Sequence, residues 1–310
     1  MNTIRALVIL TLYLMQSTAL AQAPEHAPIV KEGKTIKVSP HVYLIPDEKI
    51  GMVPNVGIIV GRHATLVVDP GMGMRSGQAV LREMEKVSKN KTVYLVNTHF
   101  HPEHTTGDLA FPANAKVLRS VAQQQDVEEM GLMWVARFAS RSALLNETLQ
   151  GAKFREPTEL FDKEKVLDLG GVRVRILQLG PAHTRGDTAV FVEGDSVLFS
   201  GDIVMNKLFP AFATPQSRVA SWLVSLDALD QLRPAKVIGA HYDMGDASMI
   251  GAYRGFLAAL RTRVAEMKKQ GKSSDEAATT LREEFRNKYP DWDQPLRIHA
   301  AATAIYRELP

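Results

Sequence analysis

Asn97-Thr98-His99-Phe100-His101-Pro102-Glu103-His104 sets three imidazoles and a carboxylate within six positions, just after the apolar run Thr92 to Val96. That run reads as a buried strand, so the cluster sits where a strand gives way to a loop. A lone histidine in a strand is usually an ordinary core or surface residue. Ligand-type side chains this dense are neither. Side chains of extended backbone alternate, so His99 and His101 point the same way while Glu103 and His104 turn past them. Neutral imidazole and carboxylate are zinc ligands, and the arrangement can serve two ions, which lie about 3.5–4 Å apart in binuclear sites.

Further donors follow other strand-like runs: His183 in Pro181-Ala182-His183-Thr184-Arg185-Gly186-Asp187, Asp202 in Ser200-Gly201-Asp202, and His241 in Gly239-Ala240-His241-Tyr242. With these in view the sequence resembles the metallo-β-lactamase-fold hydrolases from about Val42 to His241. The resemblance implies an α/β chain folded as a four-layer αβ/βα sandwich, with metals at one edge. It implies that His99, His101 and His183 hold one ion, that Glu103, His104 and His241 hold a second, and that Asp202 bridges them. Two zinc ions are the expected cofactors, with iron or manganese as the other options. The family's first motif reads His-x-His-x-Asp-His, so Glu103 is a departure. Its extra methylene moves the carboxylate outward by about 1.5 Å, which predicts an altered second site. In the resembled family an Asp at the end of the third strand orients a metal-binding His. Asp69 matches that position.

The chain has 310 residues, 45% of them hydrophobic, enough for one large core or two small ones. Its formal charge is +3 and its pI about 9.0, but charges of both signs are mixed and no basic block occurs, so nucleic-acid binding is not expected. Arg5, the apolar run Ala6 to Met15 and the small-x-small pattern Ala19-Leu20-Ala21 read as a secretory signal peptide over residues 1–21, with cleavage after Ala21 or Ala23. The run is short for a bilayer span. A periplasmic or secreted enzyme with no membrane span after cleavage is therefore expected. Cysteine is absent, so stability must come from the core and thiolate is excluded as a ligand.

Residues 22–34, rich in proline and polar side chains, read as a loose lead-in. The catalytic domain is expected over 35–244 and a helical extension packed on it over 245–310. Three strand runs, Thr35 to Ile45, Val56 to Val60 and Thr65 to Val68, end in the break Asp69-Pro70-Gly71. A helix over Ser76 to Lys89 has Ser76 as its candidate N-cap. From Ser120 to Leu145 the spacing is helical but interrupted at Gly131, and residues 146–158 read as loose. Two hairpins, over 165–179 and 188–199, precede a helix at Val219 to Leu232 and a strand at Lys236 to Gly239. Beyond His241 lie three amphipathic helices, at 247–269, 274–289 and 296–309, and the sequence leaves the oligomeric state open.

The favoured function is an exported binuclear zinc hydrolase that attacks a carbonyl of an ester, lactone, thioester or amide in a small-molecule substrate. Asp202 and Glu103 are the catalytic carboxylates, Asp202 fixing the metal separation and Glu103 handling a proton. Met72, Met74, Trp134, Phe209, Phe212 and Tyr242 are expected to line the substrate pocket, with Met133 and Phe138 as further apolar contacts from the 120–158 segment, an insertion between the first metal motif and His183. A periplasmic β-lactamase is the first alternative. Family members dedicated to β-lactams have Cys or no ligand at the position of Asp202, which counts against it. A di-iron redox enzyme or a non-catalytic accessory protein on the same fold are the others.

Overall fold

Valine- and isoleucine-rich runs pair first as an antiparallel meander: β1 (Ile36–Lys37), β2 (Val42–Ile45), β3 (Val56–Val60) and β4 (Ala64–Val68). The computed structural model describes residues 27–310, so the expected signal peptide lies outside the described residues. The sheet then continues in parallel through β5 (Thr92–Val96), β6 (Lys116–Ser120) and β7 (Glu159–Phe161), giving seven strands in sequence order. Parallel neighbours need long crossovers. Helix α1 (Gly73–Val87) joins β4 to β5, and the single turn α2 (Pro102–Thr105) with a 3-10 turn (Thr106–Ala110) lies between β5 and β6. The third crossover is the insertion, made of α3 (Val121–Asp126), a π-helical turn (Val127–Gly131), α4 (Leu132–Ala139) and α5 (Ala143–Thr148).

A second sheet of five strands holds β8 (Glu164–Asp168), β9 (Arg173–Gln178), β10 (Thr188–Val192), β11 (Val197–Gly201) and β12 (Lys236–Gly239), in the order β12-β11-β10-β9-β8. Only β11 and β12 run parallel, joined through α6 (Val219–Gln231). Then come α7 (Ser248–Lys269), α8 (Ser274–Lys288) and α9 (Leu296–Glu308). Among the described residues no helix is long and apolar enough to cross a membrane.

The layers follow from which apolar faces meet. Val42, Leu44, Leu66 and Val68 of the first sheet share a core with Val174, Ile176, Val190 and Phe199 of the second. On the first sheet's other face Ile58, Val67 and Leu95 pack on Val80 and Met84 of α1. On the second sheet's other face Phe191, Leu198 and Val237 share a core with Trp222 and Leu226 of α6 and with buried residues of α7, α8 and α9. Helix, sheet, sheet, helix is the expected αβ/βα sandwich, with the C-terminal helices added to its last layer.

Local expectations need correction at several points. Helix α1 begins at Gly73, and Ser76 is buried inside it, accepting from the Val30 amide and facing the Pro28 carbonyl instead of capping. The lead-in is fixed from residue 28 on, because Val30 is in the core beside α1 and Glu83 accepts from the Gly33 amide. Residues 146–158 are not loose throughout: α5 reaches Thr148, and the Thr158 amide bonds to the Val117 carbonyl just before β7.

Candidate metal centre

Every donor singled out in the sequence lies just beyond a strand end, and these loops meet at one edge of the two sheets. His99 is on the bend after β5, and His101 caps α2, which Pro102 starts at the first helical position, where no backbone donor is lost. Glu103 and His104 occupy the single turn of α2. His183 follows β9, Asp202 follows β11 and His241 follows β12. The backbone at Gly201 has φ +56° and a Cβ there would fall 2.7 Å from that of Thr98, so only glycine lets Asp202 approach the motif this closely.

The ligand atoms of His99, His101 and His183 lie within 4.8 Å of one another, as do those of His99, His104 and Asp202, and those of Glu103, His104 and His241. His99 Nε2 is 2.9 Å from His101 Nδ1, which is 3.3 Å from His183 Nε2. Two nitrogens on one tetrahedral zinc, each about 2.0–2.1 Å from it, are separated by roughly 3.3 Å. Asp202 turns one oxygen to each side, Oδ2 3.5 Å from His183 Nε2 and Oδ1 3.9 Å from His241 Nε2. Glu103 Oε1 is 3.9 Å from His104 Nε2, so the longer side chain still reaches the second cluster.

Burial without partners supports the same reading. His104 Nε2, Glu103 Oε2 and Asp202 Oδ1 are shielded from solvent and lack hydrogen bonds. Leaving such groups orphaned costs about 1–3 kcal/mol each, more for charged ones, so a cluster of them fits a cation site. Burial and the neighbouring imidazoles hold His99 and His101 well below the usual histidine range, which keeps their lone pairs free. Burial pushes the Asp202 carboxyl up, but His183, His241 and His104 outweigh it and keep it below its ordinary value. Glu103 is raised by burial. The donor set and its spacing therefore fit a pair of divalent ions.

Each outer nitrogen is held from behind. His104 Nδ1 is 3.0 Å from Asp69 Oδ2, and that carboxylate also accepts from the Thr98 amide and hydroxyl, each at 2.7 Å. Burial alone would lower His104, but Asp69 outweighs it and raises the imidazole to about 9. His183 Nδ1 faces the Ala211 carbonyl at 2.6 Å and His241 Nδ1 the Val53 carbonyl at 2.9 Å, leaving Nε2 of both aimed inward.

The expected pocket is only partly assembled. Trp134 packs its ring 4.3 Å from that of His101, and Met72 is buried beside it with Phe100 and Phe138. Met74, in the first turn of α1, is 46% exposed. Met133 is likewise exposed on α4. Phe209 is fully buried among Phe256, Tyr289 and Trp292, because its loop turns towards α7. Phe212 packs on Trp222, whose own ring is 6.3 Å from that of His183. The Tyr242 hydroxyl donates to Asp293 and is engaged there. Sequence reasoning missed the supporting carbonyls of Val53 and Ala211, which no side-chain pattern marks. It also gave no role to Arg141 or Arg297, whose charges act on His101 and on Asp202.

A four-layer αβ/βα chain with a histidine-rich donor cluster at its sheet edge defines a class of metal-binding protein. The chain belongs to the metallo-beta-lactamase superfamily, whose profile matches residues 51–241. It is similar to acyl-coenzyme A thioesterase MBLAC2 of Homo sapiens, 23% identical over 208 residues, covering 61% of this chain and 73% of that one. It is also similar to the linear primary-alkylsulfatase of a Pseudomonas strain, 24% identical over 214 residues, covering 59% of this chain and 40% of the relative. Among solved structures, the sec-alkylsulfatase Pisa1 from Pseudomonas superposes with a TM-score of 0.66 at 16% identity, over 88% of this chain but only 50% of that one. A metallo-beta-lactamase family protein from Thermus thermophilus gives 0.62 at 18% identity, covering 88% and 95%. The chain thus spans about half the length of the alkylsulfatases it resembles.

Proposed function

We propose that this chain is an exported, zinc-dependent hydrolase that cleaves a carbonyl compound, an ester, lactone or thioester in preference to an amide. The observation that carries the reading is the convergence of seven donors with buried, unpartnered atoms between them. His99, His101 and His183 would hold one ion, Glu103, His104 and His241 the other, and Asp202 would face both. Such a pair, when bound, supplies Lewis acidity and lowers the pKa of a water towards 7.

The chain's own residues then divide the work. Asp202 fixes the spacing of the two clusters by presenting one oxygen to each. Glu103, raised by burial, can take a proton from the attacking water at Oε2 and pass it to the leaving atom. Trp134 and Phe138 exclude water behind His101 and keep its imidazole oriented. The negative charge of Asp202 between the clusters leaves less electrophilic help for an amide nitrogen than for an alkoxide or thiolate, which are better leaving groups. A thioesterase among the relatives supports the same preference.

The test is metal analysis of the purified mature chain with a substrate panel run on one zinc-loaded preparation. About two equivalents of metal are expected, and His101→Ala or His183→Ala should abolish hydrolysis while the circular dichroism spectrum stays native. Catalytic efficiency, kcat/KM, should be higher for an aryl ester or lactone than for a penicillin or carbapenem. The reverse order by tenfold, about 1.4 kcal/mol of transition-state preference, overturns the assignment. Export rests on Arg5 and the apolar run Ala6 to Met15. Periplasmic protein should begin at Gln22 or Pro24, and intact Met1 on the soluble protein of a native host would contradict it.

A further inference from the structure

Three arginines stand beside the metal centre without a carboxylate partner. Arg141, in the link between α4 and α5, stacks its guanidinium 4.1 Å over the ring of Phe138, which is itself 6.2 Å from the His101 ring. Arg137 lies 4.8 Å over Trp134, the ring packed on His101. Arg297, at the start of α9, donates to the Phe209 carbonyl at 3.2 Å, and its charge reaches Asp202, His183 and Arg141. Among the described residues seven arginines form ion pairs, and these three are among the twelve that do not; what sets them apart is their place beside the metal donors.

Arg141 is the most exposed to the cost of that arrangement. Among the described residues its Nε is shielded from solvent with no partner, and the one hydrogen bond of its side chain is Nη1 to the Met52 sulfur at 4.0 Å, a weak acceptor. Burial lowers its pKa, the Glu103 carboxylate opposes that, and Arg137 and Arg297 act with burial. A guanidinium kept half-buried, unpaired and repelled by two others costs stability that folding does not recover. A bound anion would recover it, since the guanidinium fork matches the two oxygens of a carboxylate or sulfate.

We propose that Arg141, assisted by Arg137 and Arg297, forms a subsite for an anionic group carried by the substrate, a carboxylate, sulfate or phosphate oxyanion displaced from the scissile bond. The inference rests on the hydrolase reading for its kinetic test but has a separate binding test. It gives the insertion and the C-terminal extension a shared task, because two of the arginines come from the former and one from the latter. It also narrows the substrate class from any ester to an acidic one.

The kinetic experiment compares mono-(4-nitrophenyl) glutarate with neutral 4-nitrophenyl valerate on wild type, Arg141→Gln and Arg141→Lys, all as the metal-loaded mature chain. Arg141→Gln should raise KM for the glutarate ester about tenfold, close to 1.4 kcal/mol, leave its kcat within about threefold and leave the neutral ester unchanged. Arg141→Lys should fall between. Equal losses on both esters would mean a structural role, and no change on either would mean no subsite. Both outcomes overturn the proposal. The binding experiment uses hexanesulfonate, which has no carbonyl to cleave, and follows the unfolding midpoint. Wild type should be stabilised by the sulfonate and Arg141→Gln should not. Without ligand, Arg141→Met should match or exceed the wild-type midpoint, because it removes an unpaired, half-buried charge; a lower midpoint counts against the subsite. If neither ester is cleaved, the hydrolase reading fails and the sulfonate result decides the subsite alone.

Discussion

Glu103 is the residue at which this chain departs from the His-x-His-x-Asp-His pattern, and the structure shows how the longer side chain is absorbed. The single turn of α2 carries it beside His104, with Oε1 3.9 Å from the imidazole Nε2 and Oε2 buried and free. Cutting one methylene withdraws the carboxylate by about 1.5 Å, more than metal–ligand distances tolerate without a backbone shift. Glu103→Asp should therefore weaken the second of two metal-binding steps, by about tenfold or more, and leave the first, made by His99, His101 and His183, within about twofold. Calorimetric titration of metal into the stripped protein reads both steps. Identical isotherms for variant and wild type would mean that α2 repositions the shorter acid at no cost. Asp69, behind His104, takes a backbone amide, a hydroxyl and an imidazole on one carboxylate, with φ +54°. Asparagine tolerates that conformation but has only one acceptor oxygen. Asp69→Asn should thus lower second-site metal affinity about 10–100-fold, seen as a stoichiometry falling towards one at limiting metal while the fold persists.

At the scale of elements, helix α1 and the 3-10 turn after α2 are pressed backbone to backbone at Gly77 and Gly107. A Cβ on Gly77 would lie 2.0 Å from the Gly107 carbonyl oxygen, and one on Gly107 would lie 2.4 Å from that of Pro70. Backbone cannot yield as a flexible side chain does, so Gly77→Ala should destabilise by about 1–3 kcal/mol or more, although alanine favours a helix by up to 1 kcal/mol. Urea unfolding measures it, and a midpoint equal to wild type would show that α1 can slide. This contact also explains what the sequence disclosed and what it withheld. Strands β2 to β5 and helices α6 to α9 were legible because periodic or continuous apolar residues bury one face or both. The start of α1 was not: Ser76 looked like a cap, while Gly71, Gly73 and the Thr106 hydroxyl, which accepts from the Gly73 amide, place the first turn earlier. Strand β7 has three residues, two of them exposed, and its pairing with β6 is decided by the neighbour. The metal donors were legible because each stands in a short motif just past a strand. Phe209 and Arg297 were not, since closeness in sequence to Asp202 does not say which way a loop turns, and a lone arginine on an amphipathic helix reads as a solvated face.

For the whole molecule, the superfamily match ends at residue 241, and the residues beyond it form most of a layer. Tyr253, Phe256, Leu257, Leu260, Phe285 and Ile298 are fully or almost fully buried, and they share one cluster with Trp222, Leu198 and Val237 of the preceding chain. At about 1.5–3 kcal/mol for each large side chain taken from water, these six alone contribute roughly 9–18 kcal/mol, comparable to the 5–15 kcal/mol by which domains are stable. The figure is an upper bound because the unfolded chain already buries some of that surface, but even half of it is comparable to the whole stability of a domain. Removal would also uncover Phe209 and the outer face of β10 to β12, and would take away Asp293, the partner of Tyr242 next to His241. The extension is thus continuous with the core that positions His183, Asp202 and His241. A chain ending at residue 244 is expected to be insoluble or to lack near-ultraviolet circular dichroism, and the full chain is expected to unfold in urea as a single transition, with far- and near-ultraviolet signals coincident. A truncated chain that folds and still takes up two metal equivalents would instead make the three helices a separate unit, and the unfolding of the full chain would then show two transitions, the helical one leaving metal bound.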